Sequence, residues 1–205
     1  MLLDVWGWVC AVAGPVVSIP QVARLLRSRT SAGLSLLMWQ LNIACAVAWS
    51  FHGLRADAPN IVAPNVLLGV AAVLVVRMVT ADRGDPASRT WPLVATVATV
   101  LLAVEYFMTP AAFGVAVLIP AAAGLLGQSR DLIRSRDLSG VSRFFVTASA
   151  VVQAMWWLWG VGAGDQSIIV CATVMGLITT FNATWYALRT RRLVGPRARE
   201  LATLP

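Results

Sequence analysis

The chain alternates long apolar stretches with short arginine-bearing ones, and few folds tolerate that alternation. The apolar stretches are 4–26, 34–52, 58–79, 91–108, 110–126, 144–161 and 166–188. Each falls within the about 17–25 residues that a helix needs to cross a bilayer. Backbone N–H and C=O groups find no water there, so segments of this kind must fold as helices or close into barrels. Hydrophobic residues make up 59% of the 205, and charged residues only 12%, against about 25% in a soluble domain. The expectation is an all-α integral membrane protein with seven transmembrane helices. The N-terminus, MLLD, has no basic n-region, so the first stretch reads as a retained helix rather than a cleaved signal.

The arginines set the orientation. Arg24, Arg27 and Arg29 follow the first stretch; Arg77, Arg83 and Arg89 the third; Arg130, Arg134, Arg136 and Arg143 the fifth; and five more lie in the tail. The opposite side holds Arg55 alone. The positive-inside rule then puts the N-terminus outside and the C-terminus in the cytoplasm of a multi-pass cell-membrane protein. The net charge of +7 is spread between spans rather than gathered on a soluble face, which excludes a nucleic-acid reading. All 16 basic residues are Arg, a bias of a GC-rich bacterial genome. The lack of Lys also excludes a retinal Schiff base. Cys10, Cys45 and Cys171 lie singly inside apolar runs and read as small packing residues. With no nucleophile or metal constellation, neither enzyme nor cofactor is expected.

A shift of 107 residues brings the two halves into register. Gly7 falls on Gly114, Gln21 on Gln128, Arg27-Ser28-Arg29 on Arg134-Ser135-Arg136, and Trp49 on Trp156. Gly33, Ser35, Gly53 and Gly69 fall on Gly140, Ser142, Gly160 and Gly176. Three spans leave the chain on the far side of the membrane, so a directly joined second copy would be inverted. The unpaired fourth span restores the direction, making the repeats parallel, a transporter plan with the substrate held at the repeat interface. The expected organisation is 1–80 first triple-helix repeat, 81–109 linker helix, 110–188 second repeat and 189–205 cytoplasmic basic tail.

"IPQVARLLRSRTSAGLS" resembles the PQ-loop motif, and the three-plus-one-plus-three span pattern is similar to that of SWEET sugar transporters, in a full-length bacterial form. The resemblance covers about 4–188 and implies alternating access with a bendable first helix. Pro20 removes a helix N–H and Gln21 can satisfy the freed carbonyl, so these two, with Gly127 and Gln128 in the second copy, are the candidate hinge and gate. Gly127 stands where the resemblance calls for a proline. Gly33 and Gly140 suit tight turns, and Ser35 and Ser142 suit helix caps.

Polar groups within the bilayer are default site candidates: Ser18, Trp39, Gln40, Asn42, Trp49 and Asn65. Trp49 and Asn65 fall at neighbouring depths on consecutive helices, an aromatic face beside an amide, which suits a pyranose. The resemblance implies that Trp49 and Asn65 form a sugar pocket with Trp156, while Ala172 stands where a second Asn would complete it. Substrate contacts are therefore expected from Trp49, Asn65, Trp156, Ser18 and Asn42. The acids of the spans are Asp4 and Glu105, both towards the outer side, and His52 reads as an interface residue. Without a midplane acid, facilitated diffusion of a small sugar is expected. The alternatives are a proton-coupled PQ-loop transporter of an amino acid or other metabolite, and a non-transporting receptor of the same fold. Lipid and a small solute are the partners; both halves lie in one chain, which permits a homo-oligomer without requiring one.

Overall fold

The computed structural model describes residues 1–28, 36–134, 138, 143–191 and 194, with backbone alone for 17–28, 124 and 131. Among them are seven helices: α1 Leu2–Ser28, α2 Leu36–Arg55, α3 Pro59–Arg83, α4 Ala87–Phe107, α5 Pro110–Arg134, α6 Arg143–Ala163 and α7 Gln166–Thr190. Their starts and stops are chemically marked. α3 opens on Pro59, whose missing N–H would be unbonded there anyway, and stops at Gly84, left-handed at φ 69°. α7 is capped by Asp165, whose carboxylate accepts from the Ile168 amide at 3.1 Å. α5 runs eight residues beyond the expected 126, through Gly127–Arg134: in water its polar residues can extend the helix while Leu132 is buried against the bundle.

On length and hydropathy α3, α4, α6 and α7 can each cross a membrane, and α5 makes a fifth if its 44° bend is counted within one span. α2 carries Gln40, Asn42, Ser50, His52 and Arg55, which lower its hydropathy. The apolar part of α1 among residues with described side chains is Leu2–Val16. α3 shows what a membrane helix of this bundle looks like. Ala72, Val75, Val76 and Val79 are buried, while Val66, Leu67, Val70 and Leu74 are 51–59% exposed, an apolar surface for lipid tails.

Within 1–83, α3 packs on both α1 and α2; within 110–190, α7 packs on both α5 and α6. The two groups meet through α1 against α6 and α2 against α5, and α4 lies along α2 and α5. The Trp6 indole donates to Met155 O (3.1 Å) across the first of these contacts. Equivalent positions make equivalent contacts. Ala58 N donates to Gly53 O at 2.8 Å, and Asp165 N to Gly160 O at 2.9 Å. A Cβ at Gly53 would come within 2.9 Å of Val62, and one at Gly160 within 2.9 Å of Ile168. Small residues are needed where each hairpin closes.

Candidate functional site

The α2–α3, α4–α5 and α6–α7 loops gather at the end of the bundle that holds Met1, and there the helices part around a cavity of about 970 Å³. Its walls include Trp8, His52, Asp57, Asn60, Trp159 and Asp165. One turn deeper, Trp49 and Trp156 are half-buried against a single cluster that contains Cys10, Ile61, Trp159 and Ile168. Each tryptophan meets a second ring one turn towards the cavity in the same edge-on geometry. Trp49 meets His52 at 5.4 Å and 83°, and Trp156 meets Trp159 at 5.8 Å and 81°.

His52 corrects the expectation of an interface residue. It is 5% exposed and bonded at both ring nitrogens. Nδ1 lies 3.0 Å from Glu105 Oε1 on α4, and Nε2 lies 2.8 Å from Asp165 Oδ2 at the start of α7. Phe113 of α5 stacks on the imidazole at 5.1 Å. Arg55 donates to the Glu105 backbone oxygen and reaches its carboxylate at 3.3 Å. One side chain thus ties the first group of helices, α4 and the second group together. Burial works against ionised Asp165, but the His52 hydrogen bond and charge and the amides of Ile168 and Ser167 outweigh it and hold its carboxyl below the usual range.

The other candidates are dispersed. Asn65 donates through Nδ2 to Ile61 O of its own helix, 2.8 Å away, and Asn42 is exposed. Among the described residues, the cavity lining includes neither of them, nor Trp49 or Trp156. Gln128 approaches Asn182, whose Nδ2 lies 3.4 Å from Gln128 Oε1 while its Oδ1 accepts from Ser129 at 2.7 Å. Asn182 is 1% exposed, so this end of α5 is fastened to α7. Gly127 is open, with nothing within 4 Å of a Cβ there. The bend in α5 falls between Pro110–Ala123 and Leu125–Arg134, just before Gly127. Ser18, Pro20, Gln21, Gly33, Ser35, Gly140 and Ser142 lie outside the residues whose side chains are described.

No family model matches the chain, and none of the curated proteins does. Among solved structures, a eukaryotic SWEET transporter determined at 3.7 Å resolution is similar over 93% of this chain and 100% of its own, with a TM-score of 0.71 and 13% sequence identity. At that identity the likeness speaks for the fold. The molecule is a multi-pass membrane protein with the fold of a SWEET transporter.

Proposed function

We propose that the chain is a SWEET-type transporter of the PQ-loop kind, in a full-length bacterial form, that passes a small sugar down its gradient by alternating access. In this reading seven helices cross the cell membrane as parallel repeats 1–80 and 110–188, joined by a linker helix in 81–109 and followed by a basic tail in 189–205. By the arginine asymmetry the cavity faces outside and the tail the cytoplasm. The solute path follows the contact between the repeats.

The observation that carries this reading is the convergence of Trp49 and Trp156, equivalent in the repeat, on one cluster where the two groups of helices meet. Two aromatic faces flanking a path suit the C–H faces of a pyranose. Asn65 spends one of its two N–H groups on Ile61 O, which leaves the other N–H and Oδ1 for a solute hydroxyl. Pro20, Gln21, Gly127 and Gln128 remain the proposed hinge and gate, and Ser18 and Asn42 the outlying candidates for solute contact.

Proton-coupled transport is the second reading, favoured by the buried His52, Glu105 and Asp165. Downhill flux is preferred because these groups sit at one end of the bundle, where a bound proton exchanges with one side only.

Reconstituted protein assayed with radiolabelled glucose, sucrose and alanine decides between them. Sugar flux is expected to follow the gradient and to persist when the proton gradient is collapsed. Asn65→Ala should remove a net hydrogen bond of about 0.5–1.5 kcal/mol, a severalfold to tenfold loss of affinity. Uphill accumulation abolished by an uncoupler would establish the second reading, and absence of any flux from correctly inserted protein would sink both.

A further inference from the structure

The geometry points to a proton-operated latch: the outer mouth closes when the His52–Glu105–Asp165 cluster holds one extra proton, which it returns to the outer medium on opening. The inference rests on the alternating-access reading and adds to it a chemical condition for closure.

An ionised carboxylate only accepts hydrogen bonds, and neutral imidazole has one N–H and one lone pair. His52 nevertheless has a carboxylate oxygen at 3.0 Å from Nδ1 and another at 2.8 Å from Nε2. With neutral His52 and both acids ionised, one of these contacts would set lone pair against lone pair. Both become hydrogen bonds only if the cluster carries one further proton. Burial makes that condition strict, since His52 is 5% and Glu105 7% exposed. The charges then close: imidazolium and Arg55 face two carboxylates.

The surroundings leave His52 as the group that titrates in the relevant range. On its own helix the nearest charge is Arg55, which lies over the Tyr106 ring of α4. α4 presents Glu105, α7 presents Asp165, and α5 presents the uncharged Phe113. Asp4 and Asp57 line the same cavity, and Asp4 pairs with the Met1 amine at 2.7 Å. In water a free carboxyl loses its proton around pH 4 and a free imidazole around pH 6.5.

The three partners come from three separate parts of the bundle, so the repeats cannot part here without breaking the cluster. Once parted, His52 meets water, where an imidazole loses its proton above about pH 6.5. Proton binding therefore favours the closed mouth. The closed-to-open ratio falls as the outer pH rises past that value, by up to about tenfold per pH unit until the closed cluster itself titrates. Because the site exchanges with one side, the proton regulates opening and does not drive transport.

Spin labels on Ala56→Cys and Ala163→Cys, both at the cavity rim, with Cys10, Cys45 and Cys171 replaced by Ala, would report the width of the mouth by double electron–electron resonance. Full-length protein in nanodiscs is measured at pH 5.5 and 8.5 without solute, so a failed flux assay and a failed latch remain distinguishable. The short distance should dominate at pH 5.5, and the closed-to-open ratio should fall at least tenfold by pH 8.5. Glu105→Gln supplies an N–H to Nδ1 of neutral His52, so its mouth should stay closed at both pH values. His52→Gln should lose the pH response whatever its resting width, which keeps the test available should Glu105→Gln fold badly. Asp4→Asn and Asp57→Asn should keep the wild-type response. Identical wild-type distributions at the two pH values, or a wild-type pH response in Glu105→Gln or His52→Gln, would overturn the latch.

Discussion

The cavity end of the first three helices and that of the last three are built to one plan and finished with different chemistry. Gly53 and Gly160 close the two hairpins, and Trp49 and Trp156 occupy equivalent places against one cluster. One turn further out the halves part company. Where the first has His52 the second has Trp159, and where the first has Ala58 the second has Asp165, which caps α7 and bonds that same histidine. The repeated positions do the packing; the positions that differ hold the charges. A duplicated scaffold thus obtains a directional bond between its halves by placing a donor in one copy and its acceptor in the other.

The largest effect should come from erasing that difference. His52→Trp gives the first half the ring of the second, but leaves Asp165 with only the backbone amides that open α7 and Glu105 with Arg55 alone. Breaking a buried charge pair typically costs about 3–5 kcal/mol, and the retained Arg55 contact places this case towards the lower value. Thermal unfolding in detergent should show the loss. A His52→Trp protein as stable as wild type would mean that the two ends are interchangeable, and the comparison would fail.

Next in size is the contrast between Gly7 and Gly114, equivalent positions on α1 and α5. A Cβ at Gly7 would lie 2.5 Å from side-chain atoms of Asn60 and Trp159, whereas one at Gly114 would lie 2.6 Å from the Ser167 backbone oxygen. At Gly7 both obstacles are side chains, the Asn60 amide and the Trp159 indole, which can turn about their own bonds, whereas at Gly114 the obstacle is backbone and α7 must move as a whole. Overpacking costs about 1–3 kcal/mol, so Gly114→Ala should lie at or above the top of that range and Gly7→Ala below it. Equal losses at the two sites would show that side chains and backbone yield alike here, and so sharpen the comparison to the charged positions only.

The helices were legible because a membrane leaves an apolar segment of this length few choices, and the repeat because Gln, Trp and Arg-Ser-Arg do not recur in register among Leu, Val and Ala by accident. The charged cluster was hidden by separation: Glu105 is 53 residues from His52, and Asp165 is 113. A signal was nevertheless present. His52, Glu105 and Asp165 all stand at helix ends that the span pattern brings to one side, so the topology alone puts a histidine and two acids at one mouth. Burial is what the pattern could not supply, because a His at a helix end reads equally as an interfacial residue. The end of α5 was misjudged because its last turns are amphipathic, and hydropathy measures only whether a segment is apolar.

The smallest effect concerns Asn60 and Ser167, equivalent positions that open α3 and α7. Ser167 is fully buried and donates to Pro110 O at 2.8 Å, so Ser167→Ala should cost about 0.5–1.5 kcal/mol, the net value of one such bond. Asn60 is 7% exposed, and its Nδ2 has no hydrogen-bond partner among the described residues. A buried donor without a partner has already lost its water bonds, so Asn60→Ala relieves that penalty while giving up the packing against Gly7. The two changes oppose each other, and the net should be smaller than at Ser167. Unfolding of both variants at one pH in the same detergent makes the comparison. If Asn60→Ala is instead the costlier substitution, its amide has a partner that arrives from the cavity it lines. In that event repeating the pair with glucose or sucrose present tells water from solute: if the proposed transport holds, a sugar that stabilises wild type but not Asn60→Ala would make the cavity, one turn outside Trp49 and Trp156, the first station on the solute's path.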